Sequence, residues 1–108
     1  LSQPGDVAIG LSTSGRSANV LAALKRAKEL GLTTIGLTRA SAAPMRAVCD
    51  ICIGVPSTVT ARIQEAHLTI GHILCALVED ALAPYHEIPN LQRSSPMLRV
   101  SRRGTGLV

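Results

Sequence analysis

The chain has no phenylalanine and no tryptophan, and Tyr85 is its only aromatic residue among 108. Its core must therefore come from Ile, Leu, Val and Ala, the side chains of tightly packed helix and strand layers. No run approaches the ~18 apolar residues of a membrane span. No charged, apolar and small-residue blocks of a secretory leader open the chain either. Both absences point to a cytoplasmic protein without membrane contact. There is no Met at the start: the chain opens on Leu1, and a strand pattern follows almost at once. That reads as a segment whose upstream portion is absent. Cysteine is sparse, with only Cys49, Cys52 and Cys75. Cys49-Asp-Ile-Cys52 has a C-x-x-C spacing, but it enters an apolar strand instead of opening a helix, where the dipole would lower a thiol pKa. No second pair completes a zinc site, so free buried thiols are expected.

Most of the chain carries no excess of either charge. Up to Ile88, Arg16, Lys25, Arg26, Lys28, Arg39, Arg46 and Arg62 balance an equal number of acidic residues. The net charge of +4 comes from Arg93, Arg99, Arg102 and Arg103. Those arginines sit in a Pro/Ser/Gly-rich stretch with nothing aromatic to stack on bases. Nucleic acid is therefore not the expected partner. A folded domain over 1–88 and a solvated, disordered basic tail over 89–108 are expected.

What remains is a regular alternation. Asp6–Ser12 reads as a short buried strand entered through Pro4-Gly5. Ser17–Leu30 is helical, with Val20, Leu21, Leu24 and Ala27 on one stripe and Gly31 as the C-terminal cap. Thr33–Thr38 is a second strand. Ala42–Val48 is a short helix with Pro44 in its first turn. Asp50–Val55 is a third strand, stopped by Pro56. A long helix then runs from about Thr60 to Leu82, capped by Ser57 or Thr58 and ended by Pro84. Strands alternating with helices predict parallel pairing in an α/β fold, and near-continuous apolar strands predict cover on both sheet faces. The expectation is a three-layer αβα parallel sheet of flavodoxin/Rossmann-like kind. Three strands are about half of such a domain, so a partner chain or an upstream segment is expected to complete it. The long helix carries a broad apolar surface. His67 falls within its main stripe and reads as a core histidine. His72 falls at the edge of that surface, beside Glu65 and Glu79, and reads as a surface histidine.

The most informative stretch is residues 8–20, AIGLSTSGRSANV. A strand stopping in a hydroxyl-rich turn and passing into a helix aims backbone N–H groups at one point, where the dipole favours negative charge. Ser12, Thr13, Ser14 and Ser17 add hydroxyls suited to the oxygens of a phosphate monoester. No Gly-Lys-Ser/Thr follows and no G-x-G-x-x-G is present, so the loop is neither a nucleotide P-loop nor a dinucleotide fingerprint. A small phosphorylated ligand fits the loop, and so does an ordinary serine-rich connection.

The string GLSTSGRSANV, the later ARIQEAHLTIGHIL and the βαβ frame between them resemble the SIS (sugar isomerase) domain and, within it, the bacterial phosphoheptose isomerase family. The resemblance covers roughly Pro4 to Leu82, the C-terminal half of that family's chain. It implies an SIS-type fold that is N-terminally incomplete here. It also implies that Ser12, Thr13, Ser14 and Ser17 bind a sugar phosphate and that Gln64 contacts substrate and metal. His72 is implied as acid/base and, with Gln64, as a ligand of a possible zinc. The implied reaction interconverts sedoheptulose 7-phosphate and D-glycero-D-manno-heptose 7-phosphate for lipopolysaccharide precursors, in homotetramers with sites at subunit boundaries. The family's general-base glutamate lies in the N-terminal half, and Ala61 stands where many isomerases have an acidic residue. Activity of this segment alone is therefore not expected. A non-catalytic module, either a replication-initiator-associating adaptor or a sugar-phosphate sensor, is the alternative.

Overall fold

The computed structural model describes residues 1–83. The expected tail over 89–108 and the boundary at residue 88 lie outside the described residues. The elements run β1 (Val7–Leu11), α1 (Ala18–Glu29), β2 (Thr33–Arg39), α2 (Ala43–Val48), β3 (Ile51–Val55) and α3 (Thr60–Leu82). Each expected element is present, with bounds shifted by a residue or so. The strands form one parallel sheet in the order β1-β2-β3. Ile9, Ile35 and Ile51 stand in register across it. Parallel neighbours need a crossover between them, and α1 and α2 supply it. The described residues divide into two units, Leu1–Leu68 and a second that begins at Thr69, with the boundary inside α3.

In the first unit, α1 and α2 pack on one face of the sheet. The core there gathers Leu24, Ala42 and Met45, the last fully buried, with Val20, Leu21, Val48, Cys49 and Cys52 against it. Glycines on that face let the helices come close. A Cβ on Gly36 would lie 2.6 Å from Cys49 Sγ and 3.1 Å from Met45 Cγ. α1 ends as its sequence predicts: Gly31 has φ +87°, Leu32 N–H donates to Ala27 O, and Gly31 N–H donates to Lys28 O. This pair of bonds satisfies the last carbonyls of the helix. Arg26 and Lys28 in its last turn suit the negative end of the dipole.

The opposite face is unevenly covered. Leu37 is 1% exposed, whereas Val7, Ile9, Leu11 and Ile51 are each about half exposed. In α3, Ile63 and His67 are buried. In the second unit, Ile73, Leu77, Val78 and Leu82 are exposed. Cys49 and Cys52 are free thiols as expected but half-buried instead of buried, and Cys75 is exposed. The apolar arc of α3 on which it lies is therefore not a buried one at that position. Burial, the neighbouring Cys52 and the Asp50 carboxylate push the Cys49 thiol up, away from a reactive thiolate. No helix among the described residues is long and apolar enough to cross a membrane.

Candidate functional site

β1 ends at Leu11 because Ser12 turns the chain, with Ser12 N–H still bonded to Leu37 O at 3.0 Å. From there Ser12 organises the loop. Its buried hydroxyl accepts from Gly15 N–H at 3.0 Å and lies 2.7 Å from Ser17 Oγ. Gly15 makes the turn with φ +71°, and a Cβ there would collide with Ala42 Cβ and lie 2.8 Å from Thr38 Oγ1. No other residue fits that position without strain.

Ser17 is the N-cap of α1, but its hydroxyl makes no capping bond. It turns instead toward Ser12. The first N–H groups of α1, which have no partner inside the helix, are left without a side-chain cap. No acidic residue occupies the first turn of α1. Uncapped donors at the positive end of a helix, beside several hydroxyls, make a site for an anion.

A cavity of about 410 Å³ opens beside this loop, lined by Leu11, Ser12, Thr13, Ser17, Gln64, His67 and Leu68. That volume lies within the range of small-ligand sites, ~300–1,000 Å³. Loop and α3 thus come together in one place, within the first unit. Gln64 brings a neutral amide, able to donate and accept. His67 Nε2 lies 3.1 Å from Thr38 O. A carbonyl only accepts, so Nε2 carries a proton and donates. The core-histidine reading holds, since His67 is 4% exposed, yet the same ring lines the cavity. The sequence pattern missed that second aspect, because the bond that turns the ring joins α3 to a β2 carbonyl far away in the chain.

Ser14 and His72 are not among the residues that line this cavity. Ser14 is exposed, and its hydroxyl accepts from Arg16 N–H at 3.1 Å and lies 3.5 Å from Ser12 Oγ. It holds the shape of the loop and is not among the cavity-lining residues. His72 lies on α3 in the second unit and is exposed. Among the described residues no three His, Cys, Asp or Glu side chains come together as a metal site.

Residues 1–39 match the family model described as SIS domain. Phosphoheptose isomerase of Rhodospirillum rubrum is 59% identical over 80 residues, 74% of this chain and 43% of that protein. The phosphoheptose isomerase of Aneurinibacillus thermoaerophilus is 55% identical over 78 residues, 72% of this chain and 39% of that protein. Among solved structures, phosphoheptose isomerase GmhA from Neisseria gonorrhoeae superposes with a TM-score of 0.67 at 42% identity. That superposition covers 70% of this chain and 44% of the other. Residues 1–39 are thus similar to an SIS domain, and about three quarters of the chain is similar to part of phosphoheptose isomerases.

The chain spans about two fifths of the length of the curated relatives it matches. The SIS-domain model takes in β1, the serine loop, α1 and β2, and its match stops at Arg39. It therefore includes Ser12, Thr13, Ser14 and Ser17, whereas Gln64, His67 and His72 lie beyond it. The α3 side of the site rests on the cavity geometry.

Proposed function

We propose that this chain binds a phosphorylated sugar through its serine loop and supplies that part of a phosphoheptose isomerase site. The reaction in this reading interconverts sedoheptulose 7-phosphate and D-glycero-D-manno-heptose 7-phosphate. The observation that carries it is the cavity in which Ser12, Thr13 and Ser17 meet Gln64. Uncapped N–H groups of α1 and the loop hydroxyls take the phosphate, and Gln64 takes a polar group of the sugar.

Moving a carbonyl between C2 and C1 needs one group to remove a carbon-bound proton and another to carry protons to and from the oxygens. An imidazole suits the second task, and His72 is proposed for it. No Asp or Glu is among the residues lining the cavity. The lining residues therefore bind and orient the sugar but hold no carboxylate base for the first task. For zinc, Gln64 and His72 are at most two of the four ligands of a closed site. The donor set of the described residues does not fit a metal, and none of these steps runs through one.

A cytoplasmic location and a homo-oligomer, a tetramer by resemblance, belong to the same proposal. The exposed Ile73, Leu77, Val78 and Leu82 on α3 support the second, and sedimentation tests it. Calorimetric titration with sedoheptulose 7-phosphate tests the binding claim. Wild-type chain is expected to bind, and Ser17→Ala to bind about 10-fold more weakly, as loss of one bond to a charged group implies. Equal affinity of the two overturns the reading.

A further inference from the structure

The proposed function leaves one polar side chain of the cavity without a task. His67 is buried, lines the cavity, and spends only Nε2–H, on Thr38 O. Nδ1 has no protein partner among the described residues, and it is not among their sealed, orphaned polar atoms. The ring lines the cavity, and Nδ1 is its nitrogen that the described residues leave unengaged. Because Thr38 O fixes the proton on Nε2, the neutral ring presents a lone pair at Nδ1. A lone pair repels phosphate oxygens and attracts an O–H. The loop side of the cavity is the reverse, with N–H groups and hydroxyls that attract an anion.

We propose that His67 contacts the ligand, Nδ1 accepting a hydrogen bond from a sugar hydroxyl and so setting which end of the sugar phosphate faces α3. This rests on the reading that the cavity holds a sugar phosphate. It adds a discrimination that the loop cannot make, between a phosphate bearing a polyol and phosphate alone.

The test uses the full chain with two probes, inorganic phosphate and sedoheptulose 7-phosphate. In His67→Gln the amide NH2 still reaches Thr38 O, but no acceptor stands in the place of Nδ1. This variant is expected to bind inorganic phosphate like wild type and the sugar phosphate about 3- to 10-fold more weakly, the loss of one neutral hydrogen bond. His67→Asn, whose amide oxygen falls near Nδ1, is expected to recover part of the preference. Unchanged affinity of His67→Gln for both probes, or an equal loss for both, overturns the inference and leaves the phosphate loop standing. Wild-type chain that binds neither probe overturns the cavity reading and the inference together. A readout on wild-type protein covers the case of a variant that fails to fold. In long-range 1H–15N spectra the Nδ1 resonance is expected to move with the sugar phosphate and to stay with inorganic phosphate. An Nδ1 signal unmoved by the sugar phosphate overturns the inference.

Discussion

The two faces of one small sheet teach opposite lessons. On the side of α1 and α2, the strands present Gly10, Gly36 and Thr34, and the helices come down onto them until Met45 and Leu24 have no solvent left. On the other side the strands present Val7, Ile9, Leu11 and Ile51, larger and more apolar, and about half of each still meets water. Burial therefore follows what packs against a residue more than how hydrophobic the residue is. The covered face is also stitched by polar groups. Asp50 accepts from Thr34 N–H at 2.8 Å and pairs with Lys28 of α1 at 3.3 Å.

That contrast can be broken from its strong side first. Met45→Ala empties a fully buried site and is expected to cost about 2–5 kcal/mol in urea unfolding, as other large-to-small core changes do. A smaller loss would mean that α2 collapses into the space. Gly36→Ala pushes a methyl toward Cys49 Sγ and Met45. It is expected to cost about 1–3 kcal/mol, the usual penalty of overpacking, read by the same melts.

Asp50 gives a weaker, pH-dependent handle. The Thr34 N–H, followed by Lys28, holds its carboxyl below the ordinary value of 3.8. The folded chain thus releases this proton more readily than the unfolded chain does. Its contribution is complete above that ordinary value and is lost as pH falls through it and below. Asp50→Asn is expected to flatten the acid branch of a stability–pH curve. A mutant curve parallel to wild type would refute the linkage. The smallest effect belongs to the open face: Ile9→Thr is expected to change stability by no more than about 0.5 kcal/mol. A loss as large as that of Met45→Ala would show that Ile9 is covered in solution.

Where chemistry is local, the sequence reads well. The Ser12–Ser17 turn, the Gly31 cap and Pro44 in α2 each act through backbone geometry within a few residues, and the structure has all of them in place. The α3 side was legible only in part. Periodicity put His67 among core residues, and it is buried, but no helical wheel shows that Thr38 O would hold one nitrogen and leave the other to the cavity. Apolar runs in β1 and β3 predicted cover on both faces, because pattern reports what a strand prefers to touch. Whether a neighbour meets that preference depends on atoms beyond the strand, and Val7, Ile9 and Ile51 stay open. Cys75 fails for the same reason.

The hydroxyl that Ser17 turns toward Ser12 leaves the opening turn of α1 unfinished. An anion seated there would act as the missing cap, so occupancy and the order of that turn rise together by mass action. Amide hydrogens at Ala18, Asn19 and Val20 would then exchange more slowly with solvent when the site is filled. The loop would be a fastener as well as a receptor, closed by what it holds.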